Sequence, residues 1–99
     1  MADFEWDANK ESQNVGEHGI DFTSAPLIWD GFVSEWPDNR RDYGEARFVA
    51  FGVVGDRILA VVYTPRGYAR RIISARIAHR RERRLYAEEI ARRSRPTPD

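Results

Sequence analysis

From Phe32 onward apolar and polar residues alternate with period two, the spacing of half-buried strands. Residues 32–36 predict one strand, stopped by Pro37, and a polar loop with two arginines follows over 38–44. Residues 47–54 and 58–64 are dense in valine, phenylalanine and isoleucine, and Gly55-Asp56 between them predicts a hairpin. Pro65-Arg66-Gly67 predicts the next turn and 68–77 the next strand. The N-terminal third has the helical period instead. Asp7 stands at an N-cap ahead of residues 8–17, and Gly19 stands where that helix should stop. Before it, Phe4-Glu5-Trp6 is a short aromatic edge strand. Asp21 or Ser24 opens a short second helix through Trp29, with Pro26 fitting only in its first turn. Residues 78–92 predict a final helix rich in arginine and glutamate, and the Pro96–Pro98 stretch predicts a frayed tail over 94–99. The order is β-α-α-β-β-β-β-α. It predicts one α+β domain over 1–93, an antiparallel meander covered on one face by two N-terminal helices and the C-terminal helix.

Composition sharpens this picture in two places. At 99 residues and 41% hydrophobic, the chain has material for one modest core. With no cysteine there are no disulfides, thiol chemistry or zinc ribbon. The N-terminus has acids where a signal peptide needs bases, and no apolar run approaches a membrane span of roughly 18 residues. A cytoplasmic protein without membrane contact is expected. The zero net charge conceals a split: residues 1–45 hold eleven acids against three bases, residues 46–99 thirteen bases against five acids. Eight arginines fall between Arg66 and Arg84, with Glu82 the only acid among them. Such a basic half points to a nucleic-acid surface, or else to a solvated face whose arginines pair with the acidic half. Fifteen of the sixteen bases are arginine, which reflects either a coding bias or the fit of guanidinium forks to phosphate.

Candidate chemistry gathers on the strand 68–77. Strict alternation puts Ala69, Arg71, Ile73, Ala75 and Ile77 on one side. Tyr68, Arg70, Ile72, Ser74 and Arg76 fall on the other, with Tyr63 and Arg66 flanking the turn before it. Arginines, a hydroxyl and aromatics on an open sheet make a platform for phosphates and bases. On the last helix Ala78, Glu82 and Leu85 fall towards the core with Tyr86 beside them, and Arg80, Arg83 and Arg84 face away. On the first helix Lys10, Asn14, Glu17 and His18 share a face. His18 and His79 are too far apart, and too short of carboxylates at ligand spacing, for a metal site. Beside Lys10, His18 suits general acid–base work. No Gly-rich phosphate loop, serine-hydrolase elbow or paired-carboxylate motif is present, and no cofactor is expected.

An ordered set of short matches runs from about Phe4 to Tyr86. It comprises Phe-Glu-Trp-Asp at 4–7, Asn9-Lys10, Asn14, His18-Gly19-Ile20 with Phe22, and Gly44-Glu45-Ala46-Arg47 with Gly52. It continues through Val61-Val62-Tyr63-Thr64 with Arg66, Arg71-Ile72-Ile73-Ser74-Ala75-Arg76, Ala78, Glu82 and Tyr86. This set resembles the BrnT family of bacterial type II toxins, distant relatives of the RelE/ParE ribonuclease fold. Two positions depart from the family pattern. Glu17 replaces a usual lysine before His18-Gly19, and Phe22-Thr-Ser-Ala25 with Pro26 replaces a usual Phe-Glu-Glu-Ala. Loss of a cation beside His18 weakens RNA contact or marks a changed partner surface.

The resemblance implies a metal-independent endoribonuclease that halts translation and is neutralised by a ribbon-helix-helix antitoxin, BrnA. The toxin would reach operator DNA only through that partner. RNA supplies its own nucleophile, so cleavage needs a base for the 2′-hydroxyl, cations on the phosphorane and an acid for the leaving 5′-oxygen. Arg76 and Arg66 are the expected phosphate ligands. His18 is the expected base with Glu45 as rival, and Lys10 is a supporting cation. Glu45 has a second reading as structural partner of Arg47 or Arg71. Tyr63 and Tyr86 are expected to stack a base or give a proton, and Arg70, Arg71, Ser74 and Arg80 to contact RNA. The alternative is a binding module that uses the same arginines to hold RNA or an acidic antitoxin segment without cutting.

Overall fold

A computed structural model describes residues 3–94. Five strands form one sheet in the order β1-β5-β4-β3-β2. They are β1 (Asp3–Glu5), β2 (Ser34–Pro37), β3 (Phe48–Val54), β4 (Arg57–Arg66) and β5 (Ala69–Ile77). Strands β2 to β5 are the expected antiparallel meander. The edge strand β1 runs parallel to β5, with Phe4 opposite Arg70, so the sheet is mixed. Strand β4 outruns the expected turn: Pro65 and Arg66 pair with Arg70 and Ala69, and the chain reverses at Gly67-Tyr68. Proline fits there because β3 begins opposite Tyr63, leaving that flank of β4 with no ladder to break.

Helix α1 (Ala8–His18) begins and ends on its expected caps. The Asp7 carboxylate accepts from the backbone N–H groups of Asn9 and Lys10 at 2.8 and 3.0 Å. Gly19 takes the left-handed conformation, φ 73°, that closes the last turn. The short second helix is a 3-10 helix, Ala25–Asp30. Helix α2 (Arg80–Ser94) follows β5. No helix among the described residues is long and apolar enough to cross a membrane. Of the expected 94–99 tail, residues 95–99 lie outside the described residues, and Ser94 ends α2.

Helices cover both faces of the sheet, not one. Leu59, Val61 and Tyr63 of β4 point to the face covered by Ile20, Phe22, Ala25 and Ile28. Their neighbour Ala60 points the other way, into a smaller cluster with Phe51, Ala78 and Tyr86. The reason lies in β3 and β4, which are apolar on both sides and need cover on both. Beside the first turn of α2 the second face is left open.

Helices α1 and α2 meet the sheet through polar groups. Asn14, the buried residue of α1, gives its amide N–H groups to the carbonyls of Ile20 and Ala75, each at 2.8 Å, and its Oδ1 accepts from Ala75 N at 3.1 Å. Strand β1 pairs with β5 only as far as Arg71, so this amide satisfies an edge that β1 leaves uncovered. On α2 the stripe Glu82–Tyr86–Glu89 faces the sheet: Glu82 holds Arg76, Tyr86 hydroxyl donates to Phe32 O at 2.8 Å, and Glu89 accepts from Ser34 Oγ at 2.6 Å. Leu85, expected towards the core, is half exposed.

Candidate active site

A β-bulge in β5 decides which side chains reach the open face. Val62 pairs with Ser74 but Tyr63 pairs with Ile72, so Ile73 is an extra residue and the alternation changes phase. Ile72 and Ala75 therefore both enter the main core, and the expected row of Arg70, Ile72, Ser74 and Arg76 is divided. Ser74 and Arg76 stay on the second face. Arg70 turns to the first, where its guanidinium lies 4.6 Å from the Trp29 ring centre and 5.5 Å from that of Tyr63. That is a structural cation–π contact.

On the second face Ser74 and Arg76 line a cleft of about 410 Å³. Val49 and Val62 form its floor, His18 at the end of α1 stands beside β5, and Pro37 to Arg40 form the opposite wall. Lys10, Gln13, Glu17, His18, Ile73 and Ser74 border a smaller adjoining recess, so His18 and Ser74 belong to both and bring Lys10 into the neighbourhood. The face of α1 that sequence assigned to Lys10, Asn14, Glu17 and His18 is thus the face beside β5. Glu17, at the position of the family's usual lysine, has its Oε2 3.7 Å from His18 Nε2.

Two carboxylates hold two arginines at this cleft. Glu82 accepts Arg76 Nη1 and Nη2 at 2.8 and 3.0 Å, and its Oε1 also accepts the His79 backbone N–H at 2.7 Å. This reach back to the first turn is half of a capping box, so one side chain starts α2 and orients Arg76. Burial alone would raise the Glu82 carboxyl, but the hydrogen bonds from Arg76 and His79 N–H, with the Arg76 charge, hold it below the usual carboxylate range. Across the cleft the Asp38 side chain is only 3% exposed. Arg40 binds it through Nε and Nη2 at 2.8 and 2.9 Å, and Tyr43 hydroxyl adds a longer contact. The Arg40 hydrogen bonds lower the Asp38 carboxyl against the opposing effect of burial, and raise the Arg40 guanidinium in return.

Other expected site residues lie elsewhere. Arg66 is six residues along β4 from Ala60, the partner of Arg76, which separates the two backbones by about 20 Å. One phosphate cannot bridge them. Glu45 accepts Arg47 Nε at 3.1 Å and lies 3.9 Å from Arg66 Nη2, beside a separate surface cleft with Asp42 and Tyr43. That geometry matches its structural reading with Arg47. Tyr63 and Tyr86 are 4% exposed, inside the two cores, and have no face for a base. Tyr63 donates to Glu35 Oε1 at 2.7 Å, and burial with that bond pushes its hydroxyl up to about 12. Burial raises Tyr86 too. Arg71, half-buried opposite Thr64, and Arg80, exposed at the start of α2, are outside the cleft lining.

Sequence reading missed Asp38, Arg40 and the Arg76–Glu82 pair. The His79-to-Glu82 spacing is the signal for the last, because glutamate three residues after a helix start is a capping position. Asp38 carried no such mark in a polar loop.

The family described as "Ribonuclease toxin, BrnT, of type II toxin-antitoxin system" matches residues 6–82. Among solved structures, the 1.1 Å crystal structure of the Brucella abortus ribonuclease toxin, BrnT, is similar with a TM-score of 0.64. Its sequence is 28% identical over 81% of this chain and 100% of that one. No curated protein matches.

Proposed function

Because the chain belongs to the BrnT ribonuclease toxins of type II toxin–antitoxin systems, we propose that it is a metal-independent endoribonuclease whose active site is the cleft of His18, Ser74 and Arg76. The carrying observation is that one cleft gathers a histidine, a hydroxyl and an arginine fixed by a carboxylate, on an open sheet face wide enough for a nucleotide. His18 takes the proton of the 2′-hydroxyl, and the freed oxygen attacks phosphorus. The P–O5′ bond breaks, a 2′,3′-cyclic phosphate forms, and the 5′-oxygen takes a proton from water. Arg76 keeps its Nε–H for the charge that grows on the phosphorane, while Glu82 fixes the guanidinium beforehand. Ser74 donates to a non-bridging oxygen, and Lys10 adds positive charge from the adjoining recess.

Translation arrest follows if the RNA is messenger. The partner is a ribbon-helix-helix antitoxin of the BrnA kind, and operator DNA is reached only through it, as membership of the BrnT family implies. The test is cleavage of a defined RNA by the antitoxin-free chain, its Arg76→Ala and its His18→Ala variants. Each substitution should lower the rate at least a hundredfold, the scale of losing a charge-stabilising donor or a general base. Folding is followed by near-UV circular dichroism. A folded Arg76→Ala protein that cuts at the parent rate removes this site.

A further inference from the structure

The wall opposite Arg76 repeats the construction of the Arg76 side. At the end of β2, Asp38 N–H donates to Arg47 O at 2.8 Å, which ties the start of the loop to the sheet. That tie puts the Asp38 carboxylate in the interior, where an ion is costly unless a partner meets it. Arg40 is the partner, two residues on, and Arg40 itself is 73% exposed. The result is a guanidinium anchored on its inner edge and open on its outer edge. Nε and Nη2 are committed to Asp38, and Nη1 is left for a ligand.

Position then gives this donor a use. Trp36, Val49, Val62 and Ser74 form one row across β2, β3, β4 and β5, so β2 and β5 are three strand spacings, roughly 14 Å, apart. Arg40 and Arg76 both border the cleft over the Val49 and Val62 floor. Glu82 holds one guanidinium at its wall and Asp38 holds the other, so neither arginine closes the cleft and a nucleotide unit can enter between them. An RNA held only at Arg76 would pivot about one phosphate. In-line attack by the 2′-oxygen needs a second fixed point. Arg66 is not among the residues that border this cleft and does not supply it.

We infer that Arg40 is the second phosphate-binding arginine of the cleft, gripping the phosphate next to the scissile one. The inference rests on the ribonuclease reading for which phosphate is cut, but the grip itself is measurable without cleavage. The probe is a short fluorescent 2′-O-methyl RNA, which lacks the nucleophile, bound at several salt concentrations to the parent, Arg40→Ala, Arg40→Lys and Arg41→Ala proteins. Arg40→Ala should bind about tenfold more weakly, with a log K against log salt slope smaller by about 0.7, the value of one single-strand phosphate contact. Arg40→Lys should restore the slope, and Arg41→Ala should match the parent. Because Arg40→Ala leaves the buried Asp38 carboxylate without its partner, melting temperature is measured on the same samples, and Arg40→Lys, which keeps a cation there, separates lost grip from lost fold. Equal affinity and slope for Arg40→Ala and parent overturns the inference while leaving Arg76-dependent cleavage standing. A parent that binds the probe but does not cut unmodified RNA overturns the nuclease reading and leaves the slope to decide on Arg40. A parent that neither binds nor cuts overturns both.

Discussion

At the scale of residues, polar side chains do structural work that hydrophobic pattern does not register. Asn14 is the strongest case, since its amide replaces a strand partner for Ala75 and also closes the turn at Ile20. An alanine at this place leaves a buried N–H and carbonyls without partners. Asn14→Ala should therefore lose about 3 kcal/mol of stability in urea titration, the sum of lost bonds and stranded groups. A loss below about 1 kcal/mol would mean that water satisfies the β5 edge unaided. The same concealment applies to Asp38, which read as part of a polar loop, and to Glu82, which read as core-facing without a partner; they are the supports of Arg40 and Arg76. Conversely Tyr63, Tyr86 and Arg70 read as ligands for RNA, whereas the two tyrosines are buried in the cores and Arg70 lies against the Trp29 ring. Residue type identified charged and aromatic groups, but which of them faces solvent depends on phase and burial.

Elements were legible where a local rule operates. Asp7 and Gly19 bound α1 as their capping chemistry requires, and the alternation in β3 and β4 emerges as a hairpin turning at Gly55-Asp56. Faces were less legible. One extra residue, Ile73, reverses the alternation of β5, and a bulge has no period of its own in sequence. The cover of the sheet was misjudged, since α2 lies on the second face, and Leu85 turns outward because α2 docks through the hydrogen bonds of Glu82, Tyr86 and Glu89 as well as the Tyr86 ring. The 3-10 helix docks differently, by close approach. A Cβ added at Gly52 of β3 would lie 2.6 Å from Ile28 Cβ and 3.1 Å from Ile28 O, so backbone as well as side chain must retreat. Gly52→Ala should cost about 2 kcal/mol, as overpacking commonly does, and loosen the Trp29 contact with Tyr63. Trp29 fluorescence is confounded by Trp6 and Trp36, so chemical denaturation is the readout; an unchanged midpoint would show that the 3-10 helix shifts freely.

Across the whole molecule the split between acidic and basic halves is only partly a pairing between them. Glu45 lies near Arg66 across that boundary, whereas Asp38–Arg40 and Glu82–Arg76 are each made within one half. These carboxylates give stability a direction in pH. Glu82 and Asp38 are held below their ordinary values of 4.5 and 3.8, as is Asp21 through its hydrogen bonds with Ser24 and Thr23. Their contribution is complete above about pH 4.5 and is lost as acid protonates the folded protein. The melting temperature should be level from pH 7 to 5 and fall steeply below 4, and Glu82→Gln should flatten part of that fall. A curve that Glu82→Gln leaves unchanged would deny the ion pair its place in the fold. The function we propose draws on the same architecture: an open sheet face, α1 bringing His18 to one side, and two anchored arginines at the cleft. The most direct test of that account is the antitoxin-free protein acting in EDTA on a defined RNA, beside the same RNA with a single 2′-deoxy residue at the cut site. Cleavage to a 2′,3′-cyclic phosphate, abolished by the one deoxy substitution, is the predicted result. Cleavage that needs added metal, or that proceeds across the deoxy position, would contradict it.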